Sequence, residues 1–227
     1  GGLDRFSAPA FLKASLDSDS GSSKILLAPA GKRGMWVGTG IGNIYRFDER
    51  GREQIERKDS SDYTLDILYS DRSGALWAGG GDAIWSLQPD NRWRRWARRP
   101  AIDTGPRPWN VHDMTQDRSG AMWVSIRRAG VYRVAMDRVA DAWAPWGGRT
   151  DLPRKQVNDL FTDARGRVWF GYFDGAVAVL DGDHVTVLSD GKQTSLGVVH
   201  CFAQRGDLTW IGSDRGLWVS DGQRVQS

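Results

Sequence analysis

Five residues, Lys24, Asp66, His112, Asn158 and His200, are polar or ionisable, and each sits in a short, mostly apolar segment: KILLAP, LDILYSD, VHDMTQD, VNDLFTD and VHCFAQ. Side chains of these types gathered around one opening could contact a polar ligand or ordered water. They could equally satisfy backbone groups of neighbouring elements. The following position is mixed: Ile25, Ile67, Asp113, Asp159 and Cys201. Arg127 and Arg128 are adjacent, and a guanidinium pair suits a carboxylate or sulfate. Related Gly-rich loops carry Asp82, Tyr172, Phe173, Asp174, Asp214 and Arg215. Trp109, in the long stretch RRPAIDTGPRPWN, could stack a sugar ring or a partner, or lie as a lid. The chain has three histidines. His112 and His200 with Asp66 make an acid/base set only if they meet across an opening; His184 reads as exposed. No P-loop, GxSxG, HExxH or paired-carboxylate motif is present. Neither a catalytic residue, a metal nor a cofactor is expected.

The elements that would position these residues follow from a repeat. Trp36, Trp77, Trp123, Trp169 and Trp210 stand 41, 46, 46 and 41 residues apart. Each lies in a similar stretch: RGMWVGTGIGNIYRF, SGALWAGGGDAIWSL, SGAMWVSIRRAGVYRV, RGRVWFGYFDGAVAVL and GDLTWIGSDRGLWVS. Before each comes an apolar segment and a turn, DRSG twice and DARG once, with looser GKRG and RGD forms. Asp first and Gly last suit a type I turn closed by a residue of positive φ. A third strand and a variable fourth segment follow. Four short antiparallel strands recurring every forty-odd residues define an all-β fold, a β-propeller of four-stranded blades with about five repeats across residues 1–227. In a propeller the first strand of each blade lines the central channel, so the five polar residues would ring its mouth.

The chain opens with GGLDRF, like a third strand, and the fifth unit reads as ending after its third strand. This register predicts an excerpt, starting and ending mid-blade, of a larger ring of about seven blades. The stretch RWRRWARR (residues 92–99) falls in the outermost strand of its unit. Its counterparts REQIERK and DHVTVLSD are not arginine-rich, so the arginines are expected to guard an exposed edge. Trp93 and Trp96 should face opposite sides of that strand. Thirty-one basic residues against 28 acidic ones, net +3, give a mixed surface, and nucleic acid is not an expected partner. The lone Cys201 excludes an internal disulfide framework. No apolar run approaches the ~18 residues of a spanning helix, and no signal peptide is seen.

The unit D-x-x-G-x-[LMV]-W-[VAF]-G, at Asp71 to Trp77, Asp117 to Trp123 and Asp163 to Trp169, resembles the two-component regulator propeller repeat. The outer units depart from it: Ala30 or Gly31, and Arg205, stand near the Asp position. The resemblance implies a periplasmic sensor region of a bacterial hybrid histidine kinase or diguanylate cyclase. In that family it is commonly built of two propellers and precedes a β-sandwich, a membrane span and the output domain. It further implies a small-molecule or oligosaccharide-like ligand at the channel mouth, neighbouring blades and downstream domains as partners, and pairing of two chains. Membrane contact would come only through a span outside this segment. Streptogramin lyase-like propellers also place Trp-Phe after a Gly turn, as in Gly166 to Phe170, so a stand-alone lyase or an interaction scaffold are the alternatives.

Overall fold

The computed structural model describes residues 24–55, 65–80, 83–98, 110–136, 143–192 and 196–226. Blade 1 contains β1 (Ile25–Pro29), β2 (Met35–Thr39), β3 (Ile44–Asp48) and β4 (Gly51–Ile55). Blade 2 contains β5 (Ile67–Ser70), β6 (Leu76–Gly80), β7 (Ala83–Leu87) and β8 (Trp93–Arg98). Blade 3 contains β9 (Val111–Gln116), β10 (Met122–Ile126), β11 (Gly130–Val134) and β12 (Trp143–Pro145), followed by a 3-10 turn, Trp146–Gly148. Blade 4 contains β13 (Val157–Thr162), β14 (Val168–Tyr172), β15 (Ala176–Asp181) and β16 (His184–Asp190). Blade 5 contains β17 (Val199–Arg205), β18 (Leu208–Ser213), β19 (Gly216–Ser220) and β20 (Val225–Gln226). Every sheet is antiparallel and runs in chain order, so the chain is a five-bladed β-propeller. The two-residue β20 gives the fifth blade a fourth strand, which the sequence reading had omitted. The first strands of successive blades pack on one another, β1 on β5, β5 on β9, β9 on β13 and β13 on β17, and line an open channel of about 470 Å³.

The repeat motif is a hydrogen-bonding device. In the turns of blades 2 and 3, the Asp71 and Asp117 Oδ1 atoms accept two backbone N–H groups and a serine hydroxyl. The second carboxylate oxygen of Asp71, Asp117 and Asp163 accepts the indole N–H of Trp77, Trp123 and Trp169 at 2.7, 3.1 and 2.9 Å. Gly74, Gly120 and Gly166 close the turns with φ of 84°, 87° and 78°, as expected from the DxxG pattern. The motif's last glycine lets the next blade approach: a Cβ on Gly171 would meet Val199 of blade 5 at 2.5 Å. In blade 3 that place holds Ser125, whose hydroxyl donates instead to the Val157 carbonyl of blade 4, 2.6 Å away.

The motif tryptophans of blades 1 to 4 each face the blade that follows. Trp36, Trp77, Trp123 and Trp169 anchor four hydrophobic clusters, one for each junction from blade 1 to blade 5. Truncating one of them should remove about 3–5 kcal/mol. Blade 1 shows what the missing Asp does. Ala30 occupies its place, donating to the Gly34 carbonyl as Asp71 does to Ala75, and the buried Trp36 Nε1 has no partner. Ala30→Asp is therefore expected to raise stability by about 1 kcal/mol. A chemical-denaturation midpoint that fails to rise would contradict this account of the motif.

The faces of the end blades differ from the four internal junctions. Leu27 is 60% exposed, whereas its register equivalents Leu68, Met114 and Leu160 are 4%, 1% and 5% exposed. Leu217 is 61% exposed, whereas Ile44, Ile84, Val131 and Val177 are all at 0%. Among the described residues β1 and β17 make no packing comparable to that between the other first strands.

On the outer edge, the arginine-rich stretch forms β8 as expected. Trp96 packs on Trp77 and donates to the Ser86 hydroxyl at 2.6 Å, with the Arg94 guanidinium 3.9 Å above its ring. Trp93 packs on the opposite side, in the cluster shared with blade 1. Arg94 thus covers aromatic surface.

Candidate functional site

The channel mouth is built by the N-terminal ends of the first strands and by the turns joining second to third strands. The register corrects the polar column. Leu26, Ile67, Asp113, Asp159 and Cys201 pair with Gly38, Gly79, Ser125, Gly171 and Gly212. The residue before each is therefore Ile25, Asp66, His112, Asn158 or His200, and Lys24 stands one position outside the column. The spacing agrees: Ile25, Asp66, His112 and Asn158 each stand 11 residues before the tryptophan of their blade, whereas Lys24 stands 12 before Trp36. Lys24 still reaches the mouth, with Nζ 3.8 Å from Asp66 Oδ1.

Two members of the column tie blades together, the structural role open to them from the start. Asp66 is buried and accepts from Asn110 Nδ2 at 2.9 Å and from the Val111 N–H at 3.1 Å, both in blade 3. Burial raises its pKa against these bonds and the charge of Lys24. Asn158 Nδ2 donates to the Val199 carbonyl at 2.7 Å. His200 Nε2 lies 2.5 Å from Asp214 Oδ1, an exposed pair that holds the Asp214 carboxyl below its ordinary range. His112 packs edge-on against Phe173 of blade 4, with centroids 5.6 Å apart, and its Nε2 is buried without a partner. Burial, then the charges of Arg127 and Lys24, push its pKa below the usual histidine value. Asp66 is thus engaged by blade 3 and makes no hydrogen bond to His112 or His200.

The arginine pair sits on the turn between β10 and β11, where the Arg127 N–H is held by the Asn110 carbonyl. Arg128 takes a left-handed φ of 65°, and its N–H donates to Gln156 Oε1 at 2.6 Å. Both side chains are exposed, with no carboxylate partner among the described residues. Tyr172 is not at the mouth. It ends β14 on the buried side shared by Val168 and Phe170, fully enclosed, with its hydroxyl unpartnered and its pKa raised by burial. Its neighbour Phe173, 41% exposed, is the aromatic at the rim. The alternation Val168, Phe170, Tyr172 was the sequence signal that could have shown this. Trp109 and Asp82 lie outside the described residues.

Sequence reasoning passed over a pair deeper in the channel. Asp113 and Asp159, from adjacent first strands, hydrogen-bond to each other. Asp113 also accepts the Leu160 N–H at 2.6 Å, and Asp159 the Phe202 N–H, so each carboxyl binds the backbone of the next blade. Burial raises both pKa values, and for Asp159 the facing Asp113 charge raises it further, so the pair keeps a proton at neutral pH.

No protein-family model and no curated protein matches the chain. Solved structures do, all at low sequence identity. The chain is similar to the extracellular domain of BT4673, described as a hybrid two-component system of B. thetaiotaomicron (TM-score 0.64, 12% identity), over 86% of this chain and 27% of that one. A second such domain, BT3049 of the same organism, gives TM-score 0.60 and 14% identity, over 82% of this chain and 26% of that one. Virginiamycin B lyase from Staphylococcus aureus, in an inactive form with quinupristin, gives TM-score 0.65 and 15% identity over 89% and 66% of the two chains. The chain thus spans about a quarter of the two-component chains. These likenesses show a common propeller fold.

Proposed function

We propose that this chain is a non-catalytic sensor propeller of a bacterial signalling receptor, working on the outer side of the inner membrane and binding a small molecule or oligosaccharide-like ligand at the channel mouth. The observation that carries this reading is the rim itself. Arg127, Arg128 and Phe173 are exposed there beside an imidazole with an unpartnered nitrogen, on a fold shared with extracellular domains of two-component systems. The exposed faces around Leu27 and Leu217 would receive further propeller blades, because each is one half of a junction that recurs four times in the chain. Ligand binding would then change how two such chains pair and so reach a downstream kinase or cyclase.

A second reading, a lyase, is favoured by the His200–Asp214 pair, since an imidazole oriented by a carboxylate can move a proton. A thermal-shift screen of oligosaccharides and of quinupristin, with mass analysis of each hit after prolonged incubation, separates the two. The sensor reading expects a hit recovered intact and a shift lost in Phe173→Ala. Conversion of a hit, abolished by His200→Gln, would establish the lyase instead.

A further inference from the structure

Among the described residues the mouth presents two exposed guanidinium groups, Arg127 and Arg128, with no carboxylate partner. Lys24 stands on the same side, ion-paired with Asp66 at 3.8 Å. Asp66 is buried and also held by Asn110 and Val111. On the neighbouring blade-4 loop, Asp174 is taken by Lys155 at 2.5 Å. The rim is also held in place before any ligand arrives. Gln156 accepts the Arg128 N–H through its side chain and the Phe173 N–H through its carbonyl, while its amide donates to the Ile126 and Val157 carbonyls. One residue thereby fixes the arginine turn of blade 3 relative to the aromatic rim of blade 4, which lowers the ordering cost of binding. Arg128 keeps a backbone conformation that disfavours side chains, and such strain persists where the surroundings impose it.

We propose that this corner of the mouth binds the oxyanion, carboxylate or sulfate, of an acidic saccharide. Arg127 and Arg128 grip the oxygens, and Phe173, packed on His112, lies against the sugar ring. The assignment rests on the reading of the mouth as the ligand-binding face. A bound anion would offset the cations around His112 and favour its protonated form.

The test is an NMR titration of the His112 imidazole, with D-glucuronate, inorganic sulfate and D-glucose as separate probes. Glucuronate is expected to raise the His112 pKa by about half a unit or more, and sulfate to do so more weakly. Glucose should leave it unmoved. Arg127→Gln with Arg128→Gln, both exposed positions, should weaken glucuronate binding at least tenfold, with the thermal midpoint unchanged. Glucose and glucuronate acting alike, with the arginine variant binding as tightly as wild type, would overturn the oxyanion assignment and leave the ligand-binding mouth standing. If none of the probes moves a mouth resonance, while a hit from the thermal-shift screen protects other surfaces, both readings fall.

Discussion

Asp163→Ala is expected to lower the unfolding free energy by about 3–5 kcal/mol, the range for breaking a buried ion pair from one side. Asp163 and Arg167 are 2% and 6% exposed. The carboxylate accepts from Arg167 Nε at 2.6 Å, the Arg167 N–H at 2.9 Å and Trp169 Nε1 at 2.9 Å. Burial pushes its pKa up, yet the indole and guanidinium outweigh burial and hold it below the ordinary carboxylate value. Arg167 also reaches the Asp221 carbonyl of blade 5 at 3.0 Å and lies over the Trp169 ring. Removing the carboxylate strands a guanidinium between two blades. Asp71→Ala is the control, because its carboxylate caps Trp77 and its own turn without a paired arginine. It should lose only about 1–3 kcal/mol. Equal losses in denaturant unfolding would show that the Arg167 charge plays no part.

The second large effect is on pH dependence. A carboxyl whose pKa is raised on folding stabilises the fold below its unfolded value, near 3.8, and that contribution is lost as pH rises through the folded value. For Asp113 and Asp159 the folded values are about 7 and about 9. Stability should therefore fall as pH rises from about 4 to about 9. Asp159→Asn keeps the geometry: the amide can donate to Asp113 while its oxygen accepts from Phe202. This variant should be more stable than wild type at pH 8 and should flatten the thermal midpoint between pH 5 and 9. A wild-type midpoint that is already flat would mean the two carboxyls share no proton.

The sequence made the repeat legible because its signals are local. DxxG sets the turn, the tryptophan six residues after the Asp caps onto it, and alternation places Trp93 and Trp96 on opposite faces of β8. The mouth was less legible because its geometry depends on register between strands. The pairing of Leu26 with Gly38 puts Ile25, not Lys24, in the column, and β14 runs one residue into the stretch that reads as a loop, which buries Tyr172. The Asp113 and Asp159 pair was visible as two acids in one column. That they share a proton follows only from how closely blades 3 and 4 approach.

The central claim is that ligand binds at the channel mouth. Hydrogen exchange of the protein with and without a hit from the thermal-shift screen addresses it directly. Protection is expected at the β10–β11 turn, the β14–β15 turn and the start of β9. Protection confined to the outer strands, above all β8, with the mouth unchanged, would contradict it.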